Sequence, residues 1–361
     1  MKVPIIKLEL GQEVLQDALE VLKSGMWAEG KNVHALEDEF AAYLDVQHVR
    51  AVSNGTAALL CALFSLDIKA GDEVLVPSFT FIASANTILS FGAKPVFVDV
   101  DRETFNISVE DLQSKITEKS QAIMPVHLYG LAADMDPIKE IAEKHDLKII
   151  EDACQAHGAM YKGKNCGNLG DVGAFSLYPT KNMICGGEGG LISTNDDKIF
   201  EKLKLYSNHG QSQKYVHSSI GFNFRMQDVN GIIARYSLKQ LDKNNEKRRE
   251  NASFYNEKLA GIDQIEIPIE PSGYRHVYHQ YTLKVKNRDA LANHLRENQV
   301  GFGIHYGIPA HAQKSIKALV PEVNLPTTEQ LAKEVISLPI HPLLTGIQRH
   351  YVVDTIKQFY N

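Results

Sequence analysis

A chain of 361 residues is too long for one compact core and suits one large unit plus a smaller one. With 44% hydrophobic and 23% charged residues it has the composition of an ordinary globular protein. A net charge of -6 and a pI near 6.2 exclude a general electrostatic footprint for DNA or RNA, but not a local basic pocket for an anionic metabolite. No apolar run approaches a membrane span and the N-terminus carries no signal-peptide core, so no membrane role and a cytoplasmic location are expected. The four cysteines form no CxxC pair; buried thiols are expected, and no metal site.

Helical periodicity runs over 12–24 and stops at Gly25, and a second helix is expected from Asn32 as N-cap. A regular alternation then begins. Strands are predicted at 49–52, 73–76, 95–98, 122–125 and 148–151, with helices between them at 56–66, 81–91, 108–117 and 136–145. Two further strands, 173–176 and 190–193, flank a glycine-rich loop. This pattern predicts an α/β fold with a mostly parallel sheet and ligands at the ends of its strands. A long polar helix over 226–260 follows, then a strand at 281–285, a helix at 288–297, a strand at 301–304 and helices at 327–335 and 347–359. The expected division is a large α/β unit at 12–245 and a small α+β unit at 246–361, with 1–11 free to pack on either.

Lys181 stands in Pro179-Thr180-Lys181-Asn182, ahead of Gly186-Gly187-Glu188-Gly189-Gly190. Upstream, Asp152 ends the apolar run Leu147-Lys148-Ile149-Ile150-Glu151-Asp152, where an isolated carboxylate is costly unless paired. A lysine in such a loop with a buried carboxylate nearby suits a Schiff-base lysine opposite a pyridinium nitrogen, the arrangement that holds pyridoxal phosphate. Ser53-Asn54-Gly55-Thr56 follows a strand and opens a helix whose first free N–H groups can receive a phosphate; Ser53 and Asn54 are both candidate caps. Phe79 and Phe81 are both candidates to stack on a ring. Ser176 lies five residues before Lys181 and can share the phosphate. Gln155 and His157 follow Asp152 and reach either the cofactor or the backbone.

The ordered set resembles the DegT/DnrJ/EryC1/StrS family of sugar aminotransferases. It comprises Ser53-Asn54-Gly55-Thr56-Ala57-Ala58, Pro77-Ser78-Phe79-Thr80-Phe81, Glu151-Asp152-Ala153-Cys154-Gln155-Ala156-His157-Gly158, Phe175-Ser176-Leu177-Tyr178-Pro179-Thr180-Lys181-Asn182 and Gly221-Phe222-Asn223-Phe224-Arg225-Met226. The resemblance implies fold type I of the pyridoxal-phosphate enzymes and a homodimer with shared active sites. It further implies that Gly55, Thr56 and Ser176 bind the cofactor's phosphate, with Asn223 reaching it from a second subunit. Phe81 stacks on the ring, Asp152 pairs with its nitrogen, Gln155 contacts its hydroxyl, and Lys181 forms the imine and moves the proton.

Lysine rather than histidine at 181 separates the aminotransferases from the family's dehydratases. His305 and Tyr306, in Ile304-His305-Tyr306-Gly307-Ile308-Pro309, match a segment that contributes to the sugar-nucleotide pocket. Gly307 departs from the usual proline there, and Lys284 from a frequent arginine. The implied reaction moves an amino group from an amino acid, L-glutamate, to a nucleotide-linked keto-deoxysugar. The alternatives are a glutamine-dependent keto-cyclitol aminotransferase and a non-catalytic regulatory or binding protein on the same fold.

Overall fold

The computed structural model describes residues 1–360; Asn361, the last residue of the expected small unit, lies outside them. Short β-branched runs assemble into a seven-stranded sheet. Its order is His48–Val52, Gly190–Thr194, Val172–Ser176, Lys148–Asp152, Ser120–Ile123, Glu73–Pro77, Lys94–Val98. Neighbours are parallel except where Gly190–Thr194 lies, which runs antiparallel to both of its partners. The expected mostly parallel α/β sheet is therefore present. Glu73–Pro77 is buried at every position, as a central strand covered on both faces requires.

Helices cover both faces. On one, Leu36, Phe40 and Leu44 pack towards Phe175, whose ring meets Phe40 edge-on at 5.1 Å. On the other, the alanine- and leucine-rich helix Gly55–Ser65 lays Ala58, Leu59 and Leu63 into a core with Val76 and Ile192. Each leucine so buried stabilises the fold by roughly 1.5–3 kcal/mol. This helix starts at the carboxyl end of the sheet, which aims its N-terminus into the space above the strands.

The second helix begins at Lys31 after Gly30, not after Asn32. Asn32 is buried in the first turn; its backbone N–H donates to Asp228 Oδ1 at 2.9 Å and its side chain to Asp228 Oδ2 at 2.8 Å. A carboxylate from another helix has taken over the capping that a local side chain was expected to give. The helix Asp228–Leu259 is continuous through 245/246. Its first half contributes Ala234 and Leu241 to the large core, and its second half contributes Ala252, Tyr255 and Leu259 to a separate one.

That second core holds Tyr281, Leu283, Leu295, Ile336 and Val352 around a three-stranded sheet of Ile265–Glu266, Tyr281–Val285 and Val335–Leu338. Val3 packs in it and pairs with Val300, which fixes the N-terminal segment there. Residues 301–304, expected as a strand, make a single bridge from Gly303 to Ser337. The strand beside Tyr281–Val285 is Val335–Leu338, four buried residues following directly on a helix without a turn signal to mark the change.

Candidate active site

Strands end at Val52, Pro77, Asp152 and Ser176, and above these ends opens a cavity of about 880 Å³. Its lining brings together Gly55, Thr56, Phe81, Asp152, Gln155, Ser176, Lys181, His305 and Tyr306. Of the residues to which the resemblance gives a cofactor or sugar contact, Asn223 stands apart. It is exposed, and its Oδ1 accepts from Arg225 Nε at 3.1 Å.

One end of the cavity is built from backbone. Asn54, not Ser53, caps the helix, accepting from Ala57 N at 2.8 Å. The Gly55 and Thr56 amides then have no acceptor among the described residues and sit in the first turn, where the helix dipole favours an anion. Ser176 closes in from the neighbouring strand. A Cβ on Gly55 would stand 2.7 Å from Ser176 Cβ, and one on Gly190 would stand 2.4 Å from Asn54 O. Both positions must be glycine for the two loops to meet.

Phe79 and Phe81 now separate. Phe79 is fully buried and packs near Phe105, whereas Phe81 is 56% exposed and forms a cavity wall facing Tyr306. Asp152, 5% exposed, is held on both oxygens: Ser84 Oγ donates to Oδ2 at 2.7 Å and Cys154 N to Oδ1 at 3.2 Å. Gln155 is fixed likewise, its Oε1 accepting from Tyr129 N at 2.9 Å and its Nε2 donating to Tyr306 Oη at 3.2 Å. His157 lies outside the cavity lining; it is fully buried, its ring 5.3 Å from that of Phe175. Burial, reinforced by Lys181, pulls its pKa down to about 3, so it is a neutral core residue.

Adjacent Glu151 is wholly structural. Its carboxylate accepts from His127 Nε2 and from the amides of Gly167, Leu169 and Gly170 at 2.6–2.9 Å, pinning the loop that leads into the next strand.

Lys181 projects from the loop between Val172–Ser176 and Gly190–Thr194, its backbone closed into a turn by a bond from Lys181 N to Tyr178 O at 2.8 Å. Burial lowers its pKa below the usual lysine value, against the opposing pull of Cys154 and Asp152. Such an amine spends more of its time unprotonated, which a nucleophile and proton carrier requires. Among the described residues it is the one lysine or arginine lining the cavity.

Sequence reasoning missed Ser84, Glu188, His279 and Gln280, which also line the cavity. His279 and Gln280 lie just before the Tyr281–Val285 strand, and no local pattern ties them to a site formed on the other sheet. Lys284 is absent from the lining. Its ammonium, 5% exposed as a residue, donates to Arg102 O at 3.0 Å and pairs with Glu266 at 3.0 Å, while Arg102 pairs with Glu266 and Glu334. It ties the small sheet to the loop that carries Arg102. Gly307 likewise lies beyond the lining, at the exposed start of the neighbouring groove.

A lysine and a doubly anchored carboxylate in one cavity, beside the bare N-terminus of a helix at the rim of this sheet, suit pyridoxal phosphate: amine, ring-nitrogen partner and phosphate cradle are all supplied. The fold and the site define a pyridoxal-phosphate-dependent aminotransferase of fold type I. The chain belongs to the DegT/DnrJ/EryC1/StrS aminotransferase family, whose model matches residues 8–357.

It is 41% identical to a pleiotropic regulatory protein of Geobacillus stearothermophilus, covering 100% of this chain and 99% of the relative. It is 40% identical to a UDP-N-acetyl-3-dehydro-alpha-D-glucosamine 3-aminotransferase of Acidithiobacillus ferrooxidans, covering 97% and 94%. Among solved structures it matches DesV of S. venezuelae in complex with a ketimine intermediate, at 38% identity and a TM-score of 0.94 over 97% and 94% of the two chains. It also matches NtdA of Bacillus subtilis with bound PMP, at 30% identity and a TM-score of 0.93 over 99% and 85%.

Proposed function

We propose that this aminotransferase moves an amino group from L-glutamate to a nucleotide-linked keto-deoxysugar, giving a nucleotide-linked aminosugar in the cytoplasm. The observation that carries the reading is the meeting of Lys181 and Asp152 in one cavity, in a chain whose relatives include nucleotide-sugar aminotransferases. Bound pyridoxal phosphate supplies an electron sink that delocalises the charge left when a substrate Cα proton departs.

The chain's own residues do the rest. Gly55 and Thr56 amides and the Ser176 hydroxyl hold the phosphate, Phe81 covers the ring, and Gln155 donates to its hydroxyl. Asp152, fixed by Ser84 and the Cys154 amide, pairs with the ring nitrogen. Lys181 would attach the cofactor at rest and, once released, would take up the substrate's Cα proton as general base and give it back as general acid. His305 and Tyr306 contact the sugar from the small unit's side. The division at 245/246 into a larger and a smaller unit belongs to this proposal, with Asp228–Leu259 as the shared strut.

A homodimer completes the site in this reading. Asn223 lies outside its own chain's cavity, on a segment where Ile220 and Phe222 are exposed, and the cavity is short of cations for its anionic ligands. Asn223 of a second copy reaches the phosphate.

The test is mass spectrometry of products from a panel of nucleotide-linked keto sugars and keto-cyclitols, each with L-glutamate or L-glutamine. A new amine on a nucleotide sugar, with 2-oxoglutarate in equal amount, is expected. Preferential amination of a cyclitol with glutamine would replace the proposal with its alternative. Failure of the purified protein to bind pyridoxal phosphate would favour the non-catalytic one, a role that the name of the G. stearothermophilus relative keeps in view.

A further inference from the structure

Tyr306 is half-buried and lines the cavity, its ring 6.2 Å from that of Phe81. The direction in which its hydroxyl bonds is fixed from behind. The Tyr129 backbone N–H donates to Gln155 Oε1 at 2.9 Å. A backbone N–H can only donate, so that end of Gln155 is its oxygen and the other end is the NH2 group. This group donates to Tyr306 Oη at 3.2 Å.

The phenol oxygen is therefore the acceptor of that bond, and an amide nitrogen takes no proton in return. Desolvation pushes the phenol above its ordinary pKa, and Asp152 adds to the rise against the bond from Gln155, so the proton is retained. Gln155 is the one hydrogen-bond partner of Tyr306 Oη among the described residues. Tyr306 thus brings to the cavity an O–H whose proton no protein group uses.

That proton is not aimed at the cofactor's ring oxygen, which in the proposed function is held by the second N–H of Gln155. The two N–H bonds of an amide diverge by about 120°, so the oxygens they hold stand about 5 Å apart. An oxygen gripped by Gln155 is then beyond hydrogen-bond reach of Tyr306 Oη. The phenol serves a different oxygen.

We infer that Tyr306 is a specificity-determining contact that donates its proton to an oxygen of the substrate, with Gln155 and the Tyr129 backbone as the groups that fix this polarity. The chemistry it reads is an acceptor oxygen, either a carboxylate oxygen of the amino donor or an oxygen of the sugar. A substrate with a methylene in that place leaves the phenol proton unpaired and is disfavoured. The inference rests on the reading of this cavity as the place where both substrates react.

The test uses the full-length protein loaded with pyridoxal phosphate and compares wild type with Tyr306→Phe, Gln155→Glu and the double variant. Stopped-flow follows two half-reactions. One is L-glutamate with the loaded protein; the other is the pyridoxamine-phosphate form with the nucleotide-linked keto sugar that wild type aminates best. Tyr306→Phe is expected to lower the rate at low substrate about 10-fold in the half-reaction whose substrate presents the acceptor. A loss with L-glutamate assigns the oxygen to the donor's carboxylate, a loss with the sugar assigns it to the sugar, and losses in both assign one to each.

In Gln155→Glu a carboxylate oxygen replaces the NH2 group and takes the Tyr306 proton for itself. Adding Tyr306→Phe to that variant is expected to cost less than about 2-fold more in the same half-reaction. The pH midpoint of the cofactor's visible absorption is expected to be nearly unchanged in Tyr306→Phe. Normal kinetics of Tyr306→Phe in both half-reactions would overturn the inference. So would a midpoint moved by about one unit or more, which would make the ring oxygen its partner, or a double variant in which the two losses multiply. Amination of no sugar in the panel by wild type would sink the proposed function, and the glutamate half-reaction and the titration would then decide Tyr306 alone.

Discussion

The cavity has two unlike walls. One comes from the rim of the large sheet, where Asp152 and Ser176 end strands and Gly55, Thr56, Phe81 and Gln155 follow strands that end there. The other comes from the chain beside the three-stranded sheet, through His279, Gln280, His305 and Tyr306. The rim wall is set by chain topology: parallel strands bring their carboxyl ends together whatever lies between them. The second wall exists only because Tyr281–Val285 and Val335–Leu338 pack as a sheet separate from the seven-stranded one. Its side chains owe their places to tertiary contacts such as the Lys284, Glu266, Arg102 and Glu334 network.

If that contrast is right, the rim wall should govern chemistry and cofactor, and disturbing it should do most harm. Lys181→Ala is expected to reduce turnover by roughly 10⁴-fold, measured by steady-state assay, with the circular dichroism spectrum unchanged. Asp152→Asn is expected to cost roughly 10²-fold in kcat with the protein still folded. Wild-type activity in the asparagine variant would remove the ring-nitrogen partner from the account.

Glu151, one residue earlier, offers a control within the same strand. Its loss strands three loop amides and His127, so Glu151→Ala should lower unfolding stability in urea by about 3–5 kcal/mol, with activity lost only through unfolding.

Acid supplies a smaller perturbation. Burial holds His157 and His276 near pKa 3, against about 6.5 in an unfolded chain. The unfolded state therefore binds more protons between those values, and stability falls as pH drops from about 6.5 towards 3. At pH 5 the loss should be at most about 2 kcal/mol per ring relative to pH 7.5, read from urea midpoints. Equal midpoints at the two values would mean that these rings are not buried neutral.

The sequence carried the rim wall well for the same reason that the wall exists. Apolar runs mark strands, and the residues after them mark the site. Asp152 was visible as a carboxylate ending a buried strand, and Gly55 as a glycine opening a helix. Phe79 against Phe81 was not decidable, because both follow Pro77 and only the turn of the chain sends one inward.

Asn32 misled for a related reason: a capping residue type stood beside a helix start, but the cap came from Asp228, nearly two hundred positions away. His279 was invisible because no local pattern ties it to the cavity; Asn182 and Asn245 behind it hold it there. Lys284, noted in the sequence only as a departure from a frequent arginine, lies outside the cavity and joins the small sheet to Arg102.

The most direct measurement of the central claim is where the cofactor attaches. The protein loaded with pyridoxal phosphate is reduced with borohydride, digested and read by mass spectrometry. The account predicts a single modified peptide, with the phosphopyridoxyl group on Lys181. The same group on another lysine, or none on any, would contradict it.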